Sequence, residues 1–229
     1  MSERYIVASS KPWHYTKFEA LRAHSPIGWI YVATPSELEQ ELGSASPRYI
    51  FFLHWNWLVP TEIWSRYECV CFHMTDVPYG RGGSPLQNLI ERGHADTCVS
   101  ALRMVEEMDA GPVYAKRPLS LAGRAEEIYL RAGDVCWELI DWMIHTEPQP
   151  ISQQGEVTRF ARRKAEQSRL PEGGELRWVY DHIRMLDAPT YPLAFIEHGD
   201  FVLEFTHADL AGEEVNARVT IHKKKTRSE

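Results

Sequence analysis

Apolar runs alternate with amphipathic stretches along the first two-thirds of the chain. The continuous apolar runs at residues 49–55 and 69–73 are typical of strands buried on both faces. Residues 35–42 predict a helix with proline in its first turn. Further strands are predicted at 5–8, 29–33, 97–106, 111–116 and 118–121, and further helices at 17–23, 60–67, 86–92 and 124–146. This alternation predicts an α/β fold with a Rossmann-like, mainly parallel sheet and flanking helices.

The pattern changes after Pro148. A polar turn at residues 153–155 leads to a helix-like stretch at 176–186 and to two alternating runs at 201–205 and 215–221. We therefore expect a catalytic domain at 1–148, followed at 149–229 by a linker helix and a small C-terminal antiparallel β appendage. An appendage with exposed strand edges favours pairing into a homodimer.

Composition and charge narrow the class of protein. The 229 residues are 44% hydrophobic and 25% charged, as in a folded soluble protein. The net charge of -7 argues against a main task of gripping nucleic-acid phosphates. Two short basic runs, at 159–164 and 223–227, do not change this; the first faces either an anionic ligand or solvent. No stretch has the pattern of a signal peptide or the length of a membrane span, so a cytoplasmic protein is expected.

The four cysteines are too few for a disulfide scaffold in a chain of this size. Cys69 and Cys71 alternate on one predicted strand and so point to the same face. We interpret them as small buried hydrophobic residues rather than as ligands of a metal, and no metal is expected.

Polar residues follow two of the predicted strands, where ligands of parallel sheets gather. Asn56 follows the run at 49–55, and His73 closes the run at 69–73. The loop at 78–85 holds three glycines, two prolines and Arg81, whose planar guanidinium fits a carboxylate or phosphate. Asp109 precedes Ala-Gly-Pro. Taken singly, each of these residues also has an ordinary structural explanation.

Taken in order, these residues resemble the catalytic core of the 10-formyltetrahydrofolate-dependent formyltransferases. The shared features are His73, the pattern Pro-x-x-Arg-Gly-x-x-Pro at 78–85, Thr97, Met104 and Asp109-x-Gly111. The resemblance covers residues 49–129, with a weaker echo at 183–187 and 191–195. Within the family, the sequence is most similar to the short sugar N-formyltransferases of the pseudaminic-acid pathway.

The resemblance implies transfer of a formyl group from 10-formyltetrahydrofolate to the primary amine of an amino sugar, with a nucleotide-linked sugar of bacterial surface glycans as the expected acceptor. It also implies that His73 accepts the amine proton and that Asp109 holds the imidazole. The family has asparagine two residues before its histidine, where this chain has Cys71, and a thiol is a poor hydrogen-bond donor. We infer that Asn56, at the end of the neighbouring strand, replaces it.

Ligand-binding residues are implied by the same resemblance. The pterin of the folate is expected against residues 101–109, with two tryptophans at its entrance that fit a core equally well. The residues expected to bind the folate co-substrate are Trp55, Trp57, Arg81, Met104 and Asp109. Those expected to bind the acceptor are Arg81, Ser84, Arg184 and Tyr191.

Three other functions stay open. Transfer to a charged initiator tRNA is disfavoured by the acidic balance and by the short region after Pro148. A hydrolase that passes the formyl group to water would use the same histidine and acid. A catalytically silent module that binds sugar nucleotides is suggested by the missing strand asparagine.

Overall fold

The structure is a computed structural model that describes residues 4–24, 28–44, 46–189 and 191–224. Part of the predicted basic run at 223–227 therefore lies outside the described residues. The elements follow in this order: β1 (Arg4–Ala8), α1 (Pro12–His24), β2 (Gly28–Val32), α2 (Pro35–Leu42), β3 (Tyr49–Phe52), α3 (Thr61–Trp64), β4 (Cys69–His73), β5 (Arg81–Gly82), α4 (Pro85–Glu91), β6 (Asp96–Arg103), β7 (Val113–Ser120), α5 (Ala125–Thr146), β8 (Arg159–Phe160), a 3₁₀-helix (Ala165–Ser168), α6 (Leu176–Arg184), β9 (Ala194–His198), β10 (Phe201–Ala211) and β11 (Glu214–Lys223).

The chain divides into two compact units. The first unit comprises Met1–Gly82, Thr97–Leu119 and Leu130–Arg159. The second comprises Gly83–Asp96, Ser120–Tyr129 and Phe160–Glu229. The predicted boundary between residues 148 and 149 stays a prediction.

A six-stranded sheet runs in the order β2-β1-β3-β4-β6-β7. The pairs β1–β2, β1–β3 and β3–β4 are parallel, whereas β4 and β6 are antiparallel. All four residues of β3 are buried, as expected for a strand covered on both faces. The predicted α/β fold with a mainly parallel sheet and flanking helices is therefore confirmed.

Several predicted elements differ in their bounds. β3 ends at Phe52, three residues before the predicted end, and α1 begins at Pro12, ahead of the predicted start at residue 17. The two short strands predicted at 111–116 and 118–121 form the single strand β7. Pro118 lies inside this strand, and β7 is at the edge of the sheet, where proline is tolerated more readily than in a central strand.

The core of the sheet is built from aliphatic and aromatic side chains of neighbouring elements. One buried cluster contains Ile6, Ala8, Val32, Leu38, Ile50, Phe52, Ile63 and Cys69. Helix α2 is fixed at its start by Thr34, whose hydroxyl accepts a hydrogen bond from the backbone N of Glu37 at 3.3 Å.

The C-terminal sheet has the order β11-β10-β9, and both of its pairs are antiparallel. This confirms the predicted antiparallel appendage, although β9 was not predicted as a strand. A register shift between Thr206 and Asp209 coincides with the positive φ of 53° at His207, as in a β-bulge. Among the described residues, no helix combines the length and the apolar character that crossing a bilayer demands.

Candidate active site

His73 is the last residue of β4, and its imidazole is buried, with 8% of the residue exposed. Its Nε2 lies 2.8 Å from the carbonyl oxygen of Gly80. Because a carbonyl only accepts, Nε2 must carry the hydrogen of this bond, and Nδ1 is the basic nitrogen of the neutral ring. Gly80 has a φ of 77°, a left-handed conformation that glycine adopts without strain. The loop after β4 thus sets the tautomer of the histidine.

Asp109 faces Nδ1 of His73 from the turn between β6 and β7. Its Oδ2 lies 3.6 Å from Nδ1, which is longer than a hydrogen bond, and it accepts a 2.9 Å bond from the backbone N of Gly82. The Asp109 side chain is only 13% exposed, so the carboxylate is not directed into bulk solvent. Its φ of 55° is uncommon outside glycine and needs surrounding bonds to hold it.

Gly111 explains the spacing of the Asp109-x-Gly111 motif. A Cβ atom at this position would lie 1.7 Å from the carbonyl oxygen of Arg103. No side chain fits there unless the backbone moves, so glycine lets the turn that carries Asp109 pack against the end of β6.

Gln153 ties this turn to Arg81. Its Nε2 donates to the carbonyl oxygens of Asp109 at 2.8 Å and Gly111 at 2.7 Å. Its Oε1 accepts from Nε and Nη2 of Arg81 at 3.0 and 2.8 Å. Arg81 is buried, and its Nη1 lies 3.5 Å from Glu107. The guanidinium expected to bind ligands thus makes most of its bonds to the protein itself.

Cys71 lies on the same face of β4 as His73, because side chains alternate along a strand. Burial raises the pKa of the Cys71 thiol, and the Asp109 carboxylate raises that pKa further. The side chain at the position of the family asparagine is therefore a neutral thiol that faces Asp109. No cluster of three or more potential metal-ligating side chains is present among the described residues.

Asn56 lies four residues past the end of β3, which is the parallel neighbour of β4. Its side chain is exposed, and it has no hydrogen bond within the part of the chain that the structure describes. The two strands are neighbours, as predicted, but Asn56 does not directly follow β3, and no hydrogen bond joins it to His73 or Asp109.

The predicted folate-binding residues gather near the same strands. Trp55 and Met104 are partly buried and pack, together with Cys71, against the buried cluster that includes Phe52. Trp57 is 44% exposed, and its ring meets that of Trp55 edge to face at 4.8 Å. Trp55 therefore belongs to the border of the core, while Trp57 offers a free face.

The remaining predicted acceptor residues lie in the second unit. The hydroxyl of Tyr191 donates to Oγ of Ser84 at 3.3 Å, so these two side chains are in contact. Arg184 is buried and bonds the carbonyl oxygens of Leu121 and Gly123 at 2.6 and 2.9 Å. Within this unit, the structure joins Ser84 to Tyr191, and Arg184 makes separate bonds to the protein.

Known proteins resemble this chain both in sequence and in structure. Residues 165–222 match the family model of the methionyl-tRNA formyltransferase C-terminal domain. A curated methionyl-tRNA formyltransferase of Bacillus thuringiensis (strain Al Hakam) is 27% identical over 147 residues, which is 60% of this chain and 46% of that protein. The chain thus spans about half the length of the curated relatives it matches. A solved structure described as methionyl-tRNA formyltransferase from Clostridium thermocellum is 40% identical, with a TM-score of 0.94 over 97% of this chain and 100% of that one.

The chain belongs to the formyltransferase family. The family uses formyl-tetrahydrofolate as its formyl donor, in agreement with the predicted co-substrate. A sugar N-formyltransferase from Shewanella has the same fold, with a TM-score of 0.62, 14% identity, and coverage of 84% of this chain and 92% of that one.

Sequence reasoning missed Gln153, which was predicted only as part of a polar turn. Its partner Asp109 is 44 residues away along the chain, and Arg81 is 72 residues away. The signal in the sequence was the glutamine pair at 153–154, which begins three residues after Pro150. That signal does not say which glutamine turns inward or which turn it meets.

Proposed function

We propose that this protein transfers the formyl group of 10-formyltetrahydrofolate to the primary amine of an amino sugar carried by a nucleotide, in the synthesis of bacterial surface glycans. The observation that carries formyl transfer is the facing pair of His73 Nδ1 and Asp109 Oδ2, 3.6 Å apart and both largely buried, in a chain of this family. Among amino sugars, the sequence resemblance favours those of the pseudaminic-acid pathway.

In the proposed reaction the amine nitrogen attacks the formyl carbon, a new C–N bond forms, and the bond from that carbon to the folate nitrogen breaks. Nδ1 of His73 is the basic nitrogen of the ring, so it accepts the proton that the amine must lose. Asp109 stabilises the imidazolium that results, because an opposite charge at this distance favours the charged ring. The proton then leaves for the departing folate nitrogen.

Gly80, Gly82 and Gln153 support this pair without touching substrate. The Gly80 carbonyl fixes the tautomer, the Gly82 N–H holds the carboxylate, and Gln153 holds the backbone of the Asp109 turn. Asn56 is the proposed donor to the oxyanion that develops on the formyl oxygen. Its amide is exposed and makes no hydrogen bond to any described residue, so it can bond a ligand, and one such donor is worth about 3 kcal/mol in acyl transfer.

The residues of the site fit the folate. The border of the core at Trp55, Cys71 and Met104 is apolar and only partly buried, and Trp57 adds an exposed aromatic face. Such a surface suits one side of a flat pterin ring. The folate supplies an activated formyl group on nitrogen. The chain would hold the pterin ring on this surface. Arg81 would support the site indirectly, because it bonds Gln153, which in turn bonds the backbone of Asp109.

We further propose that residues 1–148 form the catalytic domain and that 149–229 form the linker helix and β appendage, with a homodimer formed through the appendage. Ser84 and Tyr191 are proposed to bind the acceptor, because their hydroxyl groups already lie together. Arg184 is buried and bonds backbone carbonyls, so its proposed part in acceptor binding is to support this region of the second unit.

The acceptor is supported as a small molecule by charge. A net charge of -7 does not favour a polyanion, whereas a single amino-sugar nucleotide needs only a local cationic site. The second candidate is the amine of a charged initiator tRNA. The 40% identical structure described as methionyl-tRNA formyltransferase and the match at 165–222 favour it.

A panel of free and nucleotide-linked amino sugars, incubated with 10-formyltetrahydrofolate and read by mass spectrometry, tests the proposal. We expect one amino-sugar nucleotide to gain the mass of CO at a rate proportional to enzyme. Charged initiator tRNA is the parallel arm. Formylation of that tRNA with no sugar modified, together with tight and salt-sensitive tRNA binding, would replace the sugar proposal by the second candidate.

A further inference from the structure

A cavity of about 830 Å³ lies within the second unit, between the end of α4, the segment after the 3₁₀-helix and helix α6. Its volume falls in the range of roughly 300–1,000 Å³ that is usual for small-molecule sites. The side chains that matter for its chemistry are Arg92, Arg169, Arg177, Arg184 and Trp178.

The cavity is cationic although the chain is acidic. Glu91 and Asp181 are the two acidic residues of its lining. Glu91 is paired with Arg163 at 2.6 Å, and Asp181 is paired with Arg177 at 2.9 Å. Both carboxylates are thus neutralised by arginine, and the cavity retains an excess of positive charge that favours an anionic ligand.

Three of the arginines have guanidinium donors that make no hydrogen bond to the described residues. Arg177 bonds Asp181 through Nε alone, Arg169 bonds Glu197 through Nη2 alone, and Arg92 bonds Asn88 through Nη1 alone. Their other guanidinium N–H groups have no acceptor among the residues that the structure describes. Free guanidinium edges of this kind bind phosphate oxygens in pairs.

Arg184 has a structural role in the cavity. It is buried and bonds Asp181 at 2.6 Å as well as two backbone carbonyls. Because Asp181 also accepts from Arg177, the buried arginine holds the carboxylate that orients the exposed one. Arg184, Asp181 and Arg177 are thus linked by hydrogen bonds, and this linkage orients the guanidinium of Arg177 in the cavity wall.

Trp178 supplies a flat apolar face beside these cations. It follows Arg177 on α6 and is 61% exposed, which is unusual for tryptophan. The turn at Gly174, where φ is 117°, packs so closely that a Cβ atom there would lie 2.6 Å from Cε3 of the indole. The indole is thus held by the turn while most of its surface is free to stack against a ring.

We propose that this cavity binds a nucleoside phosphate, with the base stacked on Trp178 and the phosphate bonded by Arg92, Arg169 and Arg177. This inference rests on and deepens the proposed function, because it assigns the nucleotide of the proposed acceptor to named residues of the second unit.

Isothermal titration calorimetry of the full chain with UDP, dTDP, CMP, uridine and inorganic pyrophosphate tests the inference without turnover. We expect one nucleotide to bind with 1:1 stoichiometry and at least about 10-fold more tightly than uridine or pyrophosphate. Arg177→Ala and Trp178→Ala should each weaken it by about 10-fold, in line with the usual worth of base stacking and charged phosphate contacts. Trp178→Phe should keep most of the affinity.

Arg22→Ala is the matched control, because Arg22 is 57% exposed on a helix with one acidic partner, as Arg177 is at 60%. Binding unchanged in the Arg177 and Trp178 variants, or no nucleotide binding at millimolar concentration, would overturn the inference. Salt-sensitive tRNA binding lost in the same variants, without nucleotide binding, would assign the cavity to nucleic acid instead. Nucleotide binding that depends on Arg177 and Trp178, without formylation of any amino sugar, leaves the inference standing and contradicts the proposed function. Formylation of an amino-sugar nucleotide, with nucleotide binding unchanged in the Arg177 and Trp178 variants, supports the function and overturns the inference.

Discussion

The ends of β3 and β4 are neighbours in the parallel sheet, yet they differ in how their residues are held. At the end of β4, His73 is bonded by Gly80, and the facing Asp109 is bonded by Gly82 and Gln153. Past β3, the carbonyl of His54 accepts a hydrogen bond from the Ser10 hydroxyl at 2.8 Å, whereas Asn56 is exposed and has no hydrogen bond among the described residues.

We relate this difference to two chemical tasks, proton transfer and stabilisation of the oxyanion. In the proposed mechanism, proton transfer needs an acid and a base in fixed geometry, and the bonds at the end of β4 hold both before any ligand arrives. The proposed oxyanion donor, Asn56, would act only when the formyl oxygen is present, which agrees with its lack of a hydrogen-bond partner among the described residues. We call His73 and Asp109, at the end of β4, the held end and Asn56, past β3, the open end. We expect the held end to contribute more of the rate than the open end.

The largest effect is expected at the held end. His73→Ala and Asp109→Asn should each lower turnover by about 100-fold or more, because the amine loses its proton acceptor or the charge that stabilises it. Asp109→Asn keeps an acceptor for the Gly82 N–H, so its thermal unfolding should stay near wild type. Steady-state formyl transfer and calorimetric melting check this pair, and near-full activity in either variant would refute the mechanism.

The open end should show a different signature. Asn56→Ala is expected to lower kcat by about 100-fold, as for loss of an oxyanion donor, without altering the melting temperature. Asn216→Ala, an exposed asparagine on β11, is the control. Turnover of Asn56→Ala within a few-fold of wild type would remove this residue from the site.

Gln153 sharpens the comparison because it is a positioning residue. Gln153→Ala frees the Asp109 turn and should lower kcat by about 10-fold, with a shifted pH profile of kcat because the imidazole loses its fixed partner. Gln154→Ala is the matched control, since Gln154 is exposed and makes no hydrogen bond within the described residues. A loss of stability with an unchanged pH profile and kcat would show that the hydrogen bonds of Gln153 have a structural role only.

The histidine pair formed by His14 and by His54, which lies past β3, makes a prediction on stability and not on rate. His14 Nε2 and His54 Nδ1 lie 2.8 Å apart, and burial lowers the pKa of His14 to about 3 and that of His54 to about 4. Both rings are neutral in the fold but protonate near pH 6.5 when unfolded, so stability is complete above that pH and is lost as the pH falls towards 4. The free energy of unfolding should drop by about 1.4 kcal/mol per pH unit for each ring.

Urea unfolding at pH 7.5, 6.5, 5.5 and 4.5 measures that slope. His14→Gln should flatten it, whatever its stability at neutral pH, whereas the exposed His145→Gln should not. An equal slope in wild type and His14→Gln would show that the pair does not carry the pH dependence.

How much was predictable from sequence depended on whether the signal was local. The apolar run of β3 and β4 and the alternation of β10 and β11 were sufficient for the fold, because each element carries its own period. The union of two predicted strands in β7 was missed because Pro118 looks like a break until its edge position is known. His73 and Asp109 were predicted from the family motif. The role of Gln153 could not be predicted in this way, because its hydrogen bonds join turns that are far apart in the chain.

The most direct test of the account is the rate of tetrahydrofolate release from 10-formyltetrahydrofolate with and without an amino-sugar nucleotide. The account predicts that release depends on the amine and that each folate released matches one formylated sugar, with both lost in His73→Ala. Release at the same rate without any amine acceptor would contradict it and show that the held end of β4 passes the formyl group to water.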